Sequence, residues 1–393
     1  MEYLSESESN LARFLEKNLP GDKGFRNKFI QALQKSEYLH SNIDNFEKLF
    51  GELVLYEPQR KIMAYSLNNS KISFLSGLIL PNIDNVQWAV PALRENNYAP
   101  DRLSSLFTDD IRARCIRAGK KRTALEEWND ETHLQNIYDD MTSSGANFTI
   151  RNIRQAHEWV SSKCSNFPIN VAMEVYSFFG AKRILDTSAG WGDRAIAAAA
   201  WKEKSGLPVT YTGIDPNPSL KERYSIIFST TKCDNFTFIN EPAEDVFLGD
   251  RSYDLIFTSP PYYLLERYAF GDESSTQSTE RYGSVIEWAR SFFLESFQKA
   301  WRSLETWGNM VIVIEDSISK NNKTLYTEAL MLLLMVRLEK VRFRGVFSYT
   351  SDAKKFRPMF CFEKISSNTD EMLITGAKRT LRQSWKGFSS LIE

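Results

Sequence analysis

The stretch AKRILDTSAGWGDRAIAAAAWKEKSGLPVTYTGIDPN, residues 181–217, decides the fold. It opens with a short apolar run that ends at Gly190. A strong helix former, DRAIAAAAWKEK, comes next, and a second strand-like run, PVTYTGIDPN, follows it. Strand, glycine turn, helix, strand is the βαβ unit, whose two strands lie parallel in one sheet. The alternation continues downstream. SLKERYSIIFSTT reads as a helix, and NFTFINEP and DLIFTSPP as the third and fourth strands. SVIEWARSFFLESFQKAWRSLETWG carries apolar residues at helical spacing and reads as one long helix ending at Gly308. NMVIVIED is a fifth strand and TLYTEALMLLLMVRL another helix. VRFRGVFSYT and PMFCFEKI close the series as a hairpin, which predicts an antiparallel edge. The expected fold is α/β, a mostly parallel Rossmann-like sheet covered on both faces, with an antiparallel terminal hairpin.

Upstream the pattern changes. NLARFLEKNLP and FRNKFIQALQKSEYL read as helices, KIMAYSLN and KISFLSGLIL as strands, and RLSSLFTDDIRARCIRAG as a further helix. Residues 1–145 are expected to form a mainly helical accessory or target-recognition lobe. Residues 146–366 form the α/β domain, and 367–393 a basic C-terminal tail. Formal net charge is -1, so no global basic field advertises a nucleic-acid partner, and any such contact must come from local patches. The four cysteines are scattered and form no CxxC pair. With only three histidines, that argues against a zinc site and for a reducing compartment. The acidic, polar start MEYLSESESNLARFLEKNLP lacks the apolar core of a signal peptide. ALMLLLMVRL is too short to span a bilayer. An intracellular chain with no membrane partner and no metal is expected.

In an open α/β sheet, ligands bind beyond the carboxyl ends of the strands. Four of those ends carry suggestive residues. In Asp186-Thr-Ser-Ala-Gly-Trp-Gly-Asp193, Gly190 and Gly192 allow a tight turn and close approach to a ligand. The motif is neither G-x-G-x-x-G nor a P-loop, and by itself it reads equally as a strand-to-helix turn. Asp215 suits the hydroxyls of a ribose, or a cap for the following helix. Glu241-Pro-Ala243-Glu244-Asp245 offers carboxylates that suit an adenine amino group, or surface charge. At Ser259-Pro260-Pro261-Tyr262 the prolines stop ladder pairing and stiffen the turn. That turn presents a hydroxyl, a carbonyl and a ring, which suit a planar group with an N–H₂ edge, or serves as a rigid β-to-α connection.

Taken together and in this order, these motifs resemble the S-adenosylmethionine-dependent methyltransferases of the amino type, which methylate cytosine N4 or adenine N6, mostly in DNA. D-x-x-A-G-W-G-D-R with T-S-P-P-Y-Y-x-x-E-x-Y is also similar to methylase-like proteins of phages and large DNA viruses. The resemblance covers roughly residues 146–363. It implies a class I methyltransferase fold and S-adenosyl-L-methionine as cofactor. Asp186, Ser188, Gly190, Gly192, Asp215, Ala243 and Glu244 would hold that cofactor. Ser259 and the Pro260 carbonyl would accept hydrogen bonds from the target amine, Pro261 would stiffen the turn, and Tyr262 would stack on the base. Ser at position 259 is commoner in the cytosine-N4 type. Tyr263, Glu266 and Tyr268 are candidates to shape the substrate pocket, and Lys354, Lys355 and Arg357 to meet phosphates. DNA is the implied partner. RNA base methylation and a non-catalytic nucleic-acid-binding subunit stand as alternatives. With target recognition placed in the N-terminal lobe, removal of residues 1–140 is expected to leave cofactor affinity largely intact.

Overall fold

The computed structural model describes residues 6–39, 46–57, 61–62, 88–91, 103–116, 121–161, 163–249, 252–263, 267–268, 275–315, 327–352, 355–369 and 371–392. Among the described residues nine strands form one sheet: β1 (Lys61–Ile62), β2 (Trp88–Pro91), β3 (Arg183–Asp186), β4 (Thr210–Ile214), β5 (Thr237–Ile239), β6 (Tyr253–Thr258), β7 (Leu304–Val313), β8 (Val341–Asp352) and β9 (Lys355–Lys364). Their order is β1-β2-β8-β9-β7-β6-β3-β4-β5. Strands β5, β4, β3, β6 and β7 are mutually parallel, and β9 runs antiparallel between β7 and β8. Numbered from β3, these seven strands follow 3-2-1-4-5-7-6, a class I methyltransferase sheet, as expected. The switch point lies between β3 and β6, where the connections leave in opposite directions. The hairpin is not the edge of the sheet, however. Short β2 pairs in parallel with β8, and β1 lies outside it.

Strand side chains alternate between the two faces. Leu255 and Phe257 of β6, Val311 and Val313 of β7, and Met359 and Cys361 of β9 join one buried cluster. Ile256, Met310, Ile312, Phe360 and Phe362 join another. The first is covered by the helices Ile169–Phe179, Asp193–Ser205 and Leu220–Thr230. The second is covered by Glu295–Ser303, Thr327–Arg337 and Glu371–Ser384. Residues 367–393 therefore include a packed helix, with Ala377 and Leu381 buried and Arg379 and Arg382 exposed.

The helix expected to reach Gly308 ends at Ser303, and β7 begins at Leu304. Trp307 adopts a positive φ of 73°, and a side chain at position 308 would meet the Leu304 side chain at 2.7 Å and the Glu305 carbonyl at 2.9 Å. The chain doubles back there on a bulge that helical periodicity does not reveal.

The N-terminal residues divide between two cores. Phe25, Phe29, Leu33, Trp128, Leu134 and Ile137 form a separate helical cluster, which also takes in Ile150 and Ile153. Phe46, Phe50, Leu53, Leu103 and Phe107 instead belong to the first cluster on the sheet. Deletion of residues 1–140 strips these side chains from the sheet at about 1.5–3 kcal/mol each. Contrary to the expectation from sequence, the truncated chain should be insoluble or fail to bind cofactor. A soluble fragment with unaltered cofactor affinity in titration calorimetry would contradict this.

Candidate active site at the carboxyl ends of the strands

A cavity of about 420 Å³ opens beyond the ends of β3, β4, β5, β6 and β7. At the β3 end, Asp186 is fully buried and forms an ion pair with Arg194 from the next helix. Its carboxylate accepts from Arg194 Nε at 2.7 Å, Arg194 Nη2 at 3.2 Å, Tyr211 Oη at 2.8 Å and Ser188 N at 3.3 Å. Arg194 also donates to the Ser188 carbonyl. Burial alone would lower the arginine's affinity for its proton, but Asp186 more than offsets it and holds the guanidinium charged. Asp186 and Gly192 do not line the cavity, whereas Ser188 and Gly190 do. Gly192 has a φ of +96°, and a Cβ there would lie 2.6 Å from Ile227 Cδ1, so only glycine fits without a shift.

At the β4 end, Asp215 accepts from Gly190 N at 2.9 Å and Asn217 N at 3.1 Å. These bonds tie the glycine loop to the second strand. Burial raises the Asp215 pKa to about 6, against the pull of both hydrogen bonds. At the β5 end, Ala243 and Glu244 line the cavity. Glu244 Oε1 accepts from Arg281 Nη1 at 2.6 Å and Tyr282 Oη at 2.9 Å, while the buried Oε2 has no hydrogen-bond partner. Burial pushes this carboxyl above its usual range.

At the β6 end, Ser259, Pro260, Pro261 and Tyr262 all line the cavity. Burial pushes the Tyr262 hydroxyl well above the usual phenol range, against a small downward pull from Ser259. Tyr268 lines the cavity and meets Trp191 edge-on at 6.0 Å between ring centroids. Tyr263 is turned away and packs 5.9 Å from the Trp288 ring. Of the three cations placed against phosphates, Arg357 lines the cavity. Lys355 falls at the start of β9, and Lys354 and Glu266 lie outside the described residues.

Several lining residues are absent from the sequence reading. Glu315 follows β7 and obeys the same strand-end rule that found the others. Phe167 comes from the loop before the helix Ile169–Phe179 and Gln277 from residues 275–277, so only tertiary packing brings them in. The loop at Asp193 is also latched from the N-terminal segment. Ser104 Oγ donates to Asp193 Oδ1 at 2.5 Å, and Phe167 N donates to Oδ2 at 3.2 Å. Among the described residues no cluster of three His, Cys, Asp or Glu could hold a metal ion, and no helix is long and apolar enough to cross a membrane.

No family model matches the chain, and no curated protein matches it. Solved structures do. TrmN from Thermus thermophilus matches with a TM-score of 0.35 and 15% identity, over 51% of this chain and 49% of that one. The match thus spans about half the length of that relative. An rRNA methylase from Streptococcus thermophilus matches with a TM-score of 0.34 and 14% identity, over 51% of this chain and 98% of that one. An O-methyltransferase of a Brevibacillus brevis multienzyme, solved with S-adenosyl-L-homocysteine, matches with a TM-score of 0.35 and 10% identity, over 55% of this chain and 78% of that one.

Proposed function

We propose that this chain is an S-adenosyl-L-methionine-dependent methyltransferase acting on an exocyclic amine of a DNA base, cytosine N4 or adenine N6. One observation carries the reading. One cavity is lined both by the glycine loop, Asp215 and Glu244 beyond β3, β4 and β5 and by the Ser259–Tyr262 turn beyond β6. The first group fits the cofactor. Gly190 leaves the backbone bare, Asp215 keeps lone pairs for ribose hydroxyls, and the unpartnered Glu244 Oε2 suits an adenine amino group. When bound, the cofactor supplies an electrophilic sulfonium methyl.

The chain's own task is to prepare the nitrogen. An exocyclic amine is conjugated with its ring, so its lone pair is a poor nucleophile. The Ser259 hydroxyl and the Pro260 carbonyl accept its two N–H bonds and favour the pyramidal geometry that frees the lone pair. The nitrogen then sheds one proton along the bond to Ser259 towards solvent. Tyr262 stacks on the base, which must leave the duplex to reach the cavity. Positioning and charge complementarity supply the acceleration, and no cysteine nucleophile is needed. The N-terminal helical cluster remains the proposed seat of target recognition.

Transfer of a labelled methyl group to unmethylated DNA, with RNA in parallel, tests the reading. Label on DNA supports it, label on RNA alone moves the substrate to RNA, and no label on either refutes base methylation. A pH test addresses Asp215. With its pKa raised to about 6, the carboxylate is ionised above that pH and protonated below it. Cofactor affinity should be flat above about pH 7 and weaken by up to tenfold per unit as pH falls below about 6. Asp215→Asn should bind weakly throughout and flatten the profile. A pH-independent wild type would remove Asp215 from the cofactor site.

A further inference from the structure

We propose that Arg357, held in place by Tyr349 and Glu315, reads the ring edge beside the target amine and makes cytosine the preferred base. The inference rests on the methyl-transfer reading above and adds what the target must carry.

The sheet register builds the device. Val313 pairs with Met359, so two residues further on Glu315 faces Arg357 across the end of the β7–β9 ladder. Tyr349 pairs directly with Arg357 on the other side. The register thus brings Glu315, just past β7, Arg357 of β9 and Tyr349 of β8 into a row, and all three line the cavity that Ser259 and Tyr262 also line. Arg357 Nε lies 3.8 Å from Glu315 Oε1, and Arg357 Nη1 donates to Tyr349 Oη at 3.4 Å. Nη2 makes neither of these contacts. The two neighbours therefore hold the guanidinium at the cavity wall through one long ion pair and one long hydrogen bond, and leave part of its donor fork to a ligand. Tyr262, the proposed base-stacking ring, lines the same cavity as this row.

A planar fork of donors suits two adjacent acceptors. Cytosine carries N3 and O2 in sequence beside its amine. On the same Watson–Crick edge adenine has the single acceptor N1 followed by a C–H, and guanine has an N1–H donor beside its N2 amine. A cationic fork next to Ser259 thus favours cytosine and disfavours guanine. A lysine lacks the fork and should replace Arg357 poorly.

The test begins with nucleoside mass spectrometry of methylated DNA and mapping of the modified position. The expected product is N4-methylcytosine. In a duplex of the mapped sequence, replacing the target by 3-deazacytosine keeps the amine and O2 but removes the N3 acceptor. For the wild type, kcat/KM should fall by about 10- to 100-fold on that duplex. Arg357→Ala should lose a comparable factor on the natural duplex, with cofactor affinity and thermal midpoint unchanged, and show little further loss on the analogue. Arg357→Lys should behave like Arg357→Ala. N6-methyladenine or N2-methylguanine as the product would overturn the inference while leaving methyl transfer intact. So would losses that multiply independently, since Arg357 would then be structural. A wild type indifferent to 3-deazacytosine overturns it even if the variants fail to fold. Absence of transfer to any base would refute the reading on which it rests, and the inference with it.

Discussion

Ser259→Ala is expected to lower methyl transfer to DNA by about 10²- to 10³-fold, because it removes an acceptor that matters most as the amine nitrogen becomes pyramidal. Tyr262→Ala should cost about 10- to 100-fold through lost stacking on the base. Tyr262→Phe keeps the ring and should stay near the wild type. None of the three should move the dissociation constant for S-adenosylmethionine by more than about threefold, because the turn follows β6, two strands from β4 and three from β5, whose ends carry Asp215 and Glu244. Single-turnover rates with calorimetric cofactor titrations separate these effects. An alanine variant at position 259 with full activity would remove the turn from the chemistry.

Arg194→Ala carries the largest expected effect on stability. The Asp186 side chain is 0% exposed and that of Arg194 is 6% exposed, so truncating the arginine leaves an uncompensated charge in the core. Breaking such a pair costs about 3–5 kcal/mol. The same change frees the Ser188 carbonyl and removes the cation lying 5.2 Å over the Phe167 ring, so the cofactor loop should loosen as well. Urea denaturation should show a large fall in midpoint, and cofactor affinity should fall with it. The double variant Asp186→Asn, Arg194→Met removes both charges and should recover part of the loss. A single variant within about 1 kcal/mol of the wild type would show that the pair does not hold the loop.

The sheet was legible because parallel strands buried on both faces leave short apolar runs separated by helices of clear period. NMVIVIED and DLIFTSPP needed no tertiary information to be read as strands. The bulge at Trp307 and Gly308 was not legible, since it depends on one positive φ and on crowding by Leu304. Helix placement in the N-terminal half was also hidden. Phe25, Phe29 and Leu33 have much the same spacing as Phe46, Phe50 and Leu53, yet the first set packs among helices and the second on the sheet. Periodicity tells that a face is buried, not against what.

The strand-end rule singles out Asp215, Glu244 and Ser259–Tyr262, and these residues line one cavity. Applied one strand further it reaches Glu315, two residues past the end of β7. It cannot tell an acid that faces a ligand from one that faces the core. The Asp186 oxygens are taken up by Arg194, Tyr211 and the Ser188 amide, which makes this residue a support for the cofactor loop in the proposed mechanism. Phe167 and Gln277 reach the cavity from loops whose course no local pattern dictates.

The most direct measurement is mass spectrometry of nucleosides from unmethylated duplex DNA incubated with the protein and methyl-deuterated S-adenosylmethionine. The expected result is a deuterated methyl on an exocyclic nitrogen, absent with Ser259→Ala. A deuterated methyl on a ring carbon, or none on any base while the cofactor binds, would contradict an amine-methylating site at Ser259–Tyr262.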